Sequence, residues 1–125
     1  MTINQLCLKA HRAAVEKGWY ERPRELPELL MLIVSELSEA MEADREGRKC
    51  IQEDVYELGL PEYIWDKETI DYFRDEIKDT VEDEIADAFI RLADLCGHLN
   101  IDIEAHIAAK MAYNETRPRK HGKAY

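Results

Sequence analysis

Breaks in the chain are scarce: its 125 residues contain only five Gly and four Pro, and none of either falls between Glu68 and Cys96. A sheet of short strands needs a turn every few residues, whereas long uninterrupted segments suit helices. Charged residues make up 35% of the sequence, above the ~25% common in globular domains, which gives such helices polar outer faces. The expected class is therefore all-α, and the length suits a single domain spanning residues 1–125.

Helical spacing of Ile3, Leu6, Ala10, Ala13 and Ala14 marks a first helix to about Lys17, stopped by Gly18. Trp19 and Tyr20 follow in a loop that ends at Pro23. Pro27 suits the first turn of a second helix, which runs to Gly47. Residues 48–67, with Gly59 and Pro61, read as a loop holding at most a short turn of helix. A third helix is expected from Asp66 or Lys67 unbroken to Leu99, with Ile77, Val81, Ile85, Ala88, Leu92, Cys96 and Leu99 as its core stripe. Gly97 and Asn100 mark a turn, and Asp102 can cap a fourth helix carrying Ile103, Ile107 and Met111. Pro118 ends that helix and leaves a basic tail, 118–125. This gives four helices, the two central ones antiparallel if they pack side by side.

No run of about 18 apolar residues is present, so no membrane span is expected, and the N-terminal segment does not read as a secretory signal. Three widely spaced cysteines, Cys7, Cys50 and Cys96, fit reduced thiols and a cytoplasmic setting, with Cys96 a small core residue. The net charge of −10 is uneven: residues 1–109 hold 12 Lys+Arg against 26 Asp+Glu, and residues 110–125 hold 5 against 1. So acidic a body repels DNA and RNA, while the basic end can meet a small anion.

Glu36 carries the first sign of chemistry. Leu29, Leu32, Ile33, Ala40 and Ala43 surround it at helical spacings, and a carboxylate on an apolar sector is costly unless paired or bound to a metal. Glu39, three residues on, projects from the same face, and Glu84 and Asp87 repeat that spacing on another helix. Two facing helices could thus offer four oxygen ligands to a hard cation, with magnesium, manganese or calcium the candidates. A salt bridge from Glu36 to Arg91 and solvated acidic faces are the plainer alternatives. A carboxylate-bridged iron site would want Glu-x-x-His, and no histidine here lies three residues after a Glu.

Glu36-Leu-Ser-Glu39 followed by Glu84-Ile-Ala-Asp87 resembles the E-x-x-E…E-x-x-D signature of the MazG-like all-α nucleoside triphosphate pyrophosphohydrolases. The segment from Lys110 through Asn114 and Arg117 to His121-Gly122-Lys123 is similar to that group's C-terminal K…N..R…HGK, and His11 with Lys17-Gly18-Trp19 is also similar to its N-terminal stretch. The two acidic pairs lie further apart than in the family, the excess falling in an insertion-like segment, 48–78. The resemblance implies a four-helix bundle assembled as a homodimer or homotetramer. It implies Mg2+-dependent cleavage of a nucleoside triphosphate between the α and β phosphates, giving monophosphate and pyrophosphate, with Mn2+ as a possible substitute ion. Glu36, Glu39, Glu84 and Asp87 would hold the metal, and Glu39 would also orient the attacking water. Lys110, Asn114, Arg117 and Lys123 would meet phosphate or sugar, and His11 and Trp19 the rest of the nucleotide. Two alternatives are a dUTP- or dCTP-type hydrolase on a similar scaffold and a non-catalytic helical interaction module.

Overall fold

The computed structural model describes residues 1–58 and 65–125. Among these it contains six α-helices and no strand: α1 (Ile3–Glu16), α2 (Leu26–Arg45), α3 (Gln52–Glu57), α4 (Lys67–Glu76), α5 (Val81–His98) and α6 (Ile103–Glu115), then a 3-10 turn, Arg119–Gly122. The all-α expectation holds, with more and shorter helices than the four expected. No helix is long and apolar enough to cross a membrane, among the described residues. The chain forms two compact units, Met1–Arg22 with Ala93–Tyr125, and Pro23–Leu92.

In the first unit, Thr2 and Gln5 cap α1 reciprocally. The Thr2 hydroxyl accepts from the Gln5 N–H at 3.1 Å, and the Gln5 side chain accepts from the Thr2 N–H at 2.8 Å. Gly18 ends the helix at a φ of +86°, a conformation open to glycine at little cost. Asp102 caps α6 as expected, accepting from the Ala105 N–H at 3.1 Å, and also accepts from the Asn4 amide of α1 at 2.8 Å. The core of this unit is Cys7, Ala10, Ala93 and Cys96, flanked by Leu6, Ile101 and Ile103.

Two expectations change here. Ile3 and Ala13 are exposed, as are Ile107 and Met111 on α6, because small side chains rather than large ones fill the contact. Gly97 marks no turn but lies inside α5. A Cβ there would meet the Cys7 carbonyl oxygen at 2.5 Å and the His11 Cβ at 2.7 Å, so its missing side chain is what lets α1 and α5 come so close.

In the second unit, α2 opens with Pro27 in its first turn and stops before Gly47 at φ +70°, matching expectation. Segment 48–67 holds the short α3, while Gly59, Pro61 and Tyr63 fall outside the described residues. Asp66 caps α4 by accepting from the Thr69 N–H at 2.8 Å. Trp65 packs its ring 5.5 Å from that of Phe73. The Tyr72 hydroxyl donates to Asp54 at 2.8 Å, joining α4 to α3, and that bond pushes the phenol up to about 12.

The expected unbroken third helix is interrupted. α4 ends at Glu76, Asp79 takes a φ of +64°, and α5 starts afresh at Val81. Thr80 supplies the physical reason. Its hydroxyl accepts from the Asp83 N–H at 3.3 Å and its carbonyl from the Glu84 N–H at 3.0 Å, while Asp83 accepts from the Asp79 N–H at 2.9 Å. A side-chain cap of this kind satisfies donors that a new helix would otherwise leave orphaned.

The core stripe differs as well. Ile77, Ala88 and Cys96 are buried as expected, but Ile85, Leu92 and Leu99 are exposed. The inward side of α5 carries Leu95, Glu84 and otherwise small residues, while Ile85, Phe89, Ile90 and Leu92 point out.

Candidate metal centre

Helices α2 and α5 bring the acidic pairs together by running antiparallel. Glu36 meets Arg91, Glu39 meets Glu84, and the Arg48 carbonyl accepts from the Val81 N–H at 3.0 Å, so sequence rises on one helix as it falls on the other. One carboxylate oxygen from each of Glu36, Glu39 and Glu84 lies within 4.8 Å of the others. Glu36 and Glu84 are only 7% and 6% exposed, whereas Glu39 is open to solvent. The apolar setting read around Glu36 is present: Leu29, Ala40 and Ala43 are buried beside it.

Three negative charges at such separations repel, and Glu84 registers the repulsion. Loss of hydration pushes Glu84 up to about 7, assisted by the charge and hydrogen bond of Glu39 and by the charges of Asp83 and Asp87. Asp87 is also raised, first by lost hydration, then by Asp83, Glu36 and Glu39, with Arg91 opposing. Its carboxylate sits beside the trio, not within it: the close group holds Glu36, Glu39 and Glu84, and Asp87 is exposed.

Arg91 Nε donates to Glu36 Oε1, so the sequence alternative of a Glu36–Arg91 bridge also exists. A second acidic trio, Asp79, Asp83 and Glu84, shares Glu84. Oxygen-only donors with an unneutralised excess of charge fit a hard divalent cation by their chemistry.

The remaining sequence candidates all lie in the first unit. Lys110 and Asn114 belong to α6, and Arg117 falls just past its end. Lys110 Nζ lies 5.1 Å from the Tyr113 ring centre and the Arg117 guanidinium 5.8 Å, so the exposed Tyr113 ring gathers both cations. The Asn114 side-chain oxygen is buried with no hydrogen-bond partner among the described residues. Lys123 follows the 3-10 turn, whose Lys120 and His121 hold positive φ values. Trp19 is exposed in the turn after Gly18, and His11 is part-buried against Asp94.

Sequence reasoning missed Tyr20, Asp94 and His98, which surround His11. Asp94 stands seven residues after Asp87, a spacing that keeps it near the same helix face; nothing in the sequence pairs it with His11. Among family models, curated proteins and solved structures, none matches this chain.

Proposed function

We propose that the chain is a magnesium-dependent nucleoside triphosphate pyrophosphohydrolase of the MazG-like kind, cleaving between the α and β phosphates. The observation that carries this reading is the convergence of Glu36, Glu39 and Glu84 within 4.8 Å, two of them buried, with Arg91 bonded to Glu36. Like carboxylates are not packed this way for stability; the arrangement lowers its energy when a divalent ion enters.

Glu36, Glu39 and Glu84 would hold magnesium, with manganese as a substitute and Asp87 at the rim. The ion supplies charge to phosphate oxygens and acidifies bound water. Glu39, the solvent-open member, would also orient the attacking water. Arg91 keeps the Glu36 carboxylate oriented. Glu84, protonated part of the time near neutrality, gives up its proton when a cation arrives. By the family resemblance alone, Lys110, Asn114, Arg117 and Lys123 would supply cations and an amide to phosphate and sugar, and His11 and Trp19 would contact the nucleoside.

The working form would be a cytoplasmic homodimer or homotetramer. Exposed Leu30, Val34, Leu37 and Met41 on α2, and Ile85, Phe89 and Leu92 on α5, form the surface that assembly would cover.

Incubation with magnesium and a panel of NTPs and dNTPs, including dUTP and dCTP, tests the reading. Monophosphate with pyrophosphate supports it; diphosphate with orthophosphate sinks the assigned bond. Turnover confined to dUTP or dCTP favours the narrower hydrolase. The Arg91–Glu36 pair and the exposed apolar residues favour one other reading, a helical interaction module. That module predicts neither turnover nor magnesium-dependent stabilisation.

A further inference from the structure

The first unit contains a hydrogen-bonded group with no part in the metal chemistry. His11 Nδ1 of α1 and Asp94 Oδ1 of α5 lie 2.9 Å apart, and the Tyr20 hydroxyl donates to Asp94 Oδ2 at 2.9 Å. His98, one turn beyond Asp94, packs its ring 4.7 Å from Tyr20 and 5.5 Å from His11, and the His11 and Tyr20 rings meet edge-on at 4.9 Å. The close approach at Gly97 holds His11 against this part of α5.

A carboxylate at neutral pH only accepts hydrogen bonds, so both partners of Asp94 must donate. The proton of neutral His11 therefore sits on Nδ1, the reverse of the form that a free histidine side chain prefers in water, and the lone pair sits on Nε2. Tyr20 occupies the second carboxylate oxygen and keeps Asp94 from turning away. The hydrogen bond made by one ring nitrogen decides what the other can do.

We propose that Asp94 and Tyr20 are positioning residues for His11, fixing Nε2 as a directed acceptor for a neutral hydrogen-bond donor of the nucleoside, a base amino group or a sugar hydroxyl, and not for its phosphates. The ligand class rests on the pyrophosphohydrolase reading; the tautomer does not. A phosphate oxygen brings no proton for Nε2 to accept. Removal of Asp94 leaves the imidazole free to place its proton on Nε2, which turns an acceptor into a donor at the same position.

Imidazole 15N spectra of the full chain at pH 7.5, with His11 assigned by His11→Gln, test this directly. The expected signature is a protonated Nδ1 and an unprotonated Nε2. Asp94→Ala should move the proton to Nε2, Tyr20→Phe should weaken the preference, and His98→Gln should leave it intact. A wild-type ring carrying its proton on Nε2, or on both nitrogens, overturns the proposal whether or not any variant folds. Cytidine, uridine and their 2′-deoxy forms, added singly, should shift Nε2 according to which donor they carry. Inorganic triphosphate should not; a shift with triphosphate alone overturns the acceptor role. In turnover, Asp94→Ala should raise KM roughly tenfold, the scale of one hydrogen bond, with kcat little changed. A chain that hydrolyses no nucleotide counts against the preceding reading instead, and the tautomer then decides the roles of Asp94 and Tyr20 by itself.

Discussion

Arg91 donates from Nε to the buried carboxylate of Glu36, so one of the two enclosed acids of the α2–α5 pair is answered from within the chain. Glu84, equally enclosed, is pressed by the charges of Glu39, Asp83 and Asp87, and the exposed Lys78, itself bonded to Asp79, is the cation its charge reaches. The cluster is therefore unevenly neutralised, and its weak point is on α5.

Replacement of Arg91 by methionine keeps much of the packing and strands the Glu36 charge. Unfolding in urea without divalent ions should show a loss of about 1–3 kcal/mol, the scale for a buried charged group deprived of its partner. The double variant with Glu36→Gln should recover most of that. Equal losses in the single and double variants would mean that the pair contributes little.

Magnesium should raise the melting temperature of the wild-type chain, since an ion that binds only the folded form stabilises it by mass action, about 2.7 kcal/mol at a hundred times its dissociation constant. Glu36→Gln and Glu84→Gln should each abolish the rise, and chelator should reverse it. Asp87→Asn, altering a residue at the rim, should reduce the rise without removing it. Scanning fluorimetry over a magnesium series reads all three.

Glu84 gives the ion-free chain a particular pH dependence. Its folded-state value, about 7, lies above the ordinary glutamate value of 4.5, so between these the folded chain holds a proton that the unfolded chain has released. The associated stability is complete below about 4.5 and is lost as pH rises through about 7. In chelator, melting temperature should fall from pH 5 to pH 8, with Asp87 adding in the same direction. Glu84→Gln should flatten the slope, and saturating magnesium should flatten or reverse it.

Gly97→Ala sets helix propensity against contact. Alanine favours a helix interior over glycine by roughly 0.5–1 kcal/mol. The added methyl would fall 2.5 Å from the Cys7 carbonyl oxygen, which is backbone and cannot swing aside. A net loss of about 1–3 kcal/mol in chemical denaturation is expected. A neutral or stabilised variant would show that α1 and α5 stand further apart.

Helix content and several helix ends were legible in the sequence, since Gly18, Gly47, Pro27 and Asp102 act locally and lie beside what they terminate. Glu36 was legible for a similar reason: its apolar neighbours sit within two turns of it. The break at Thr80 was written too, as Thr80-Val-Glu-Asp83, but acidic residues in every direction hid the cap. Asp94 and Tyr20 could not be found, because each acts on a residue more than seventy positions away or through a turn. The outward placement of Ile85 and Leu92 was unreadable too, because apolar periodicity does not say which side of a helix faces its own chain.

Because α5 begins at its own cap, its rotation about its axis is set at Thr80 and is not inherited from α4. Insertions and deletions in 52–76 can therefore accumulate without turning Glu84 away from Glu39, which makes this stretch the natural place for length variation between related chains. A single residue gained or lost between Thr80 and Glu84 has the opposite effect. It turns everything that follows by about 100°, and the acids would look past one another.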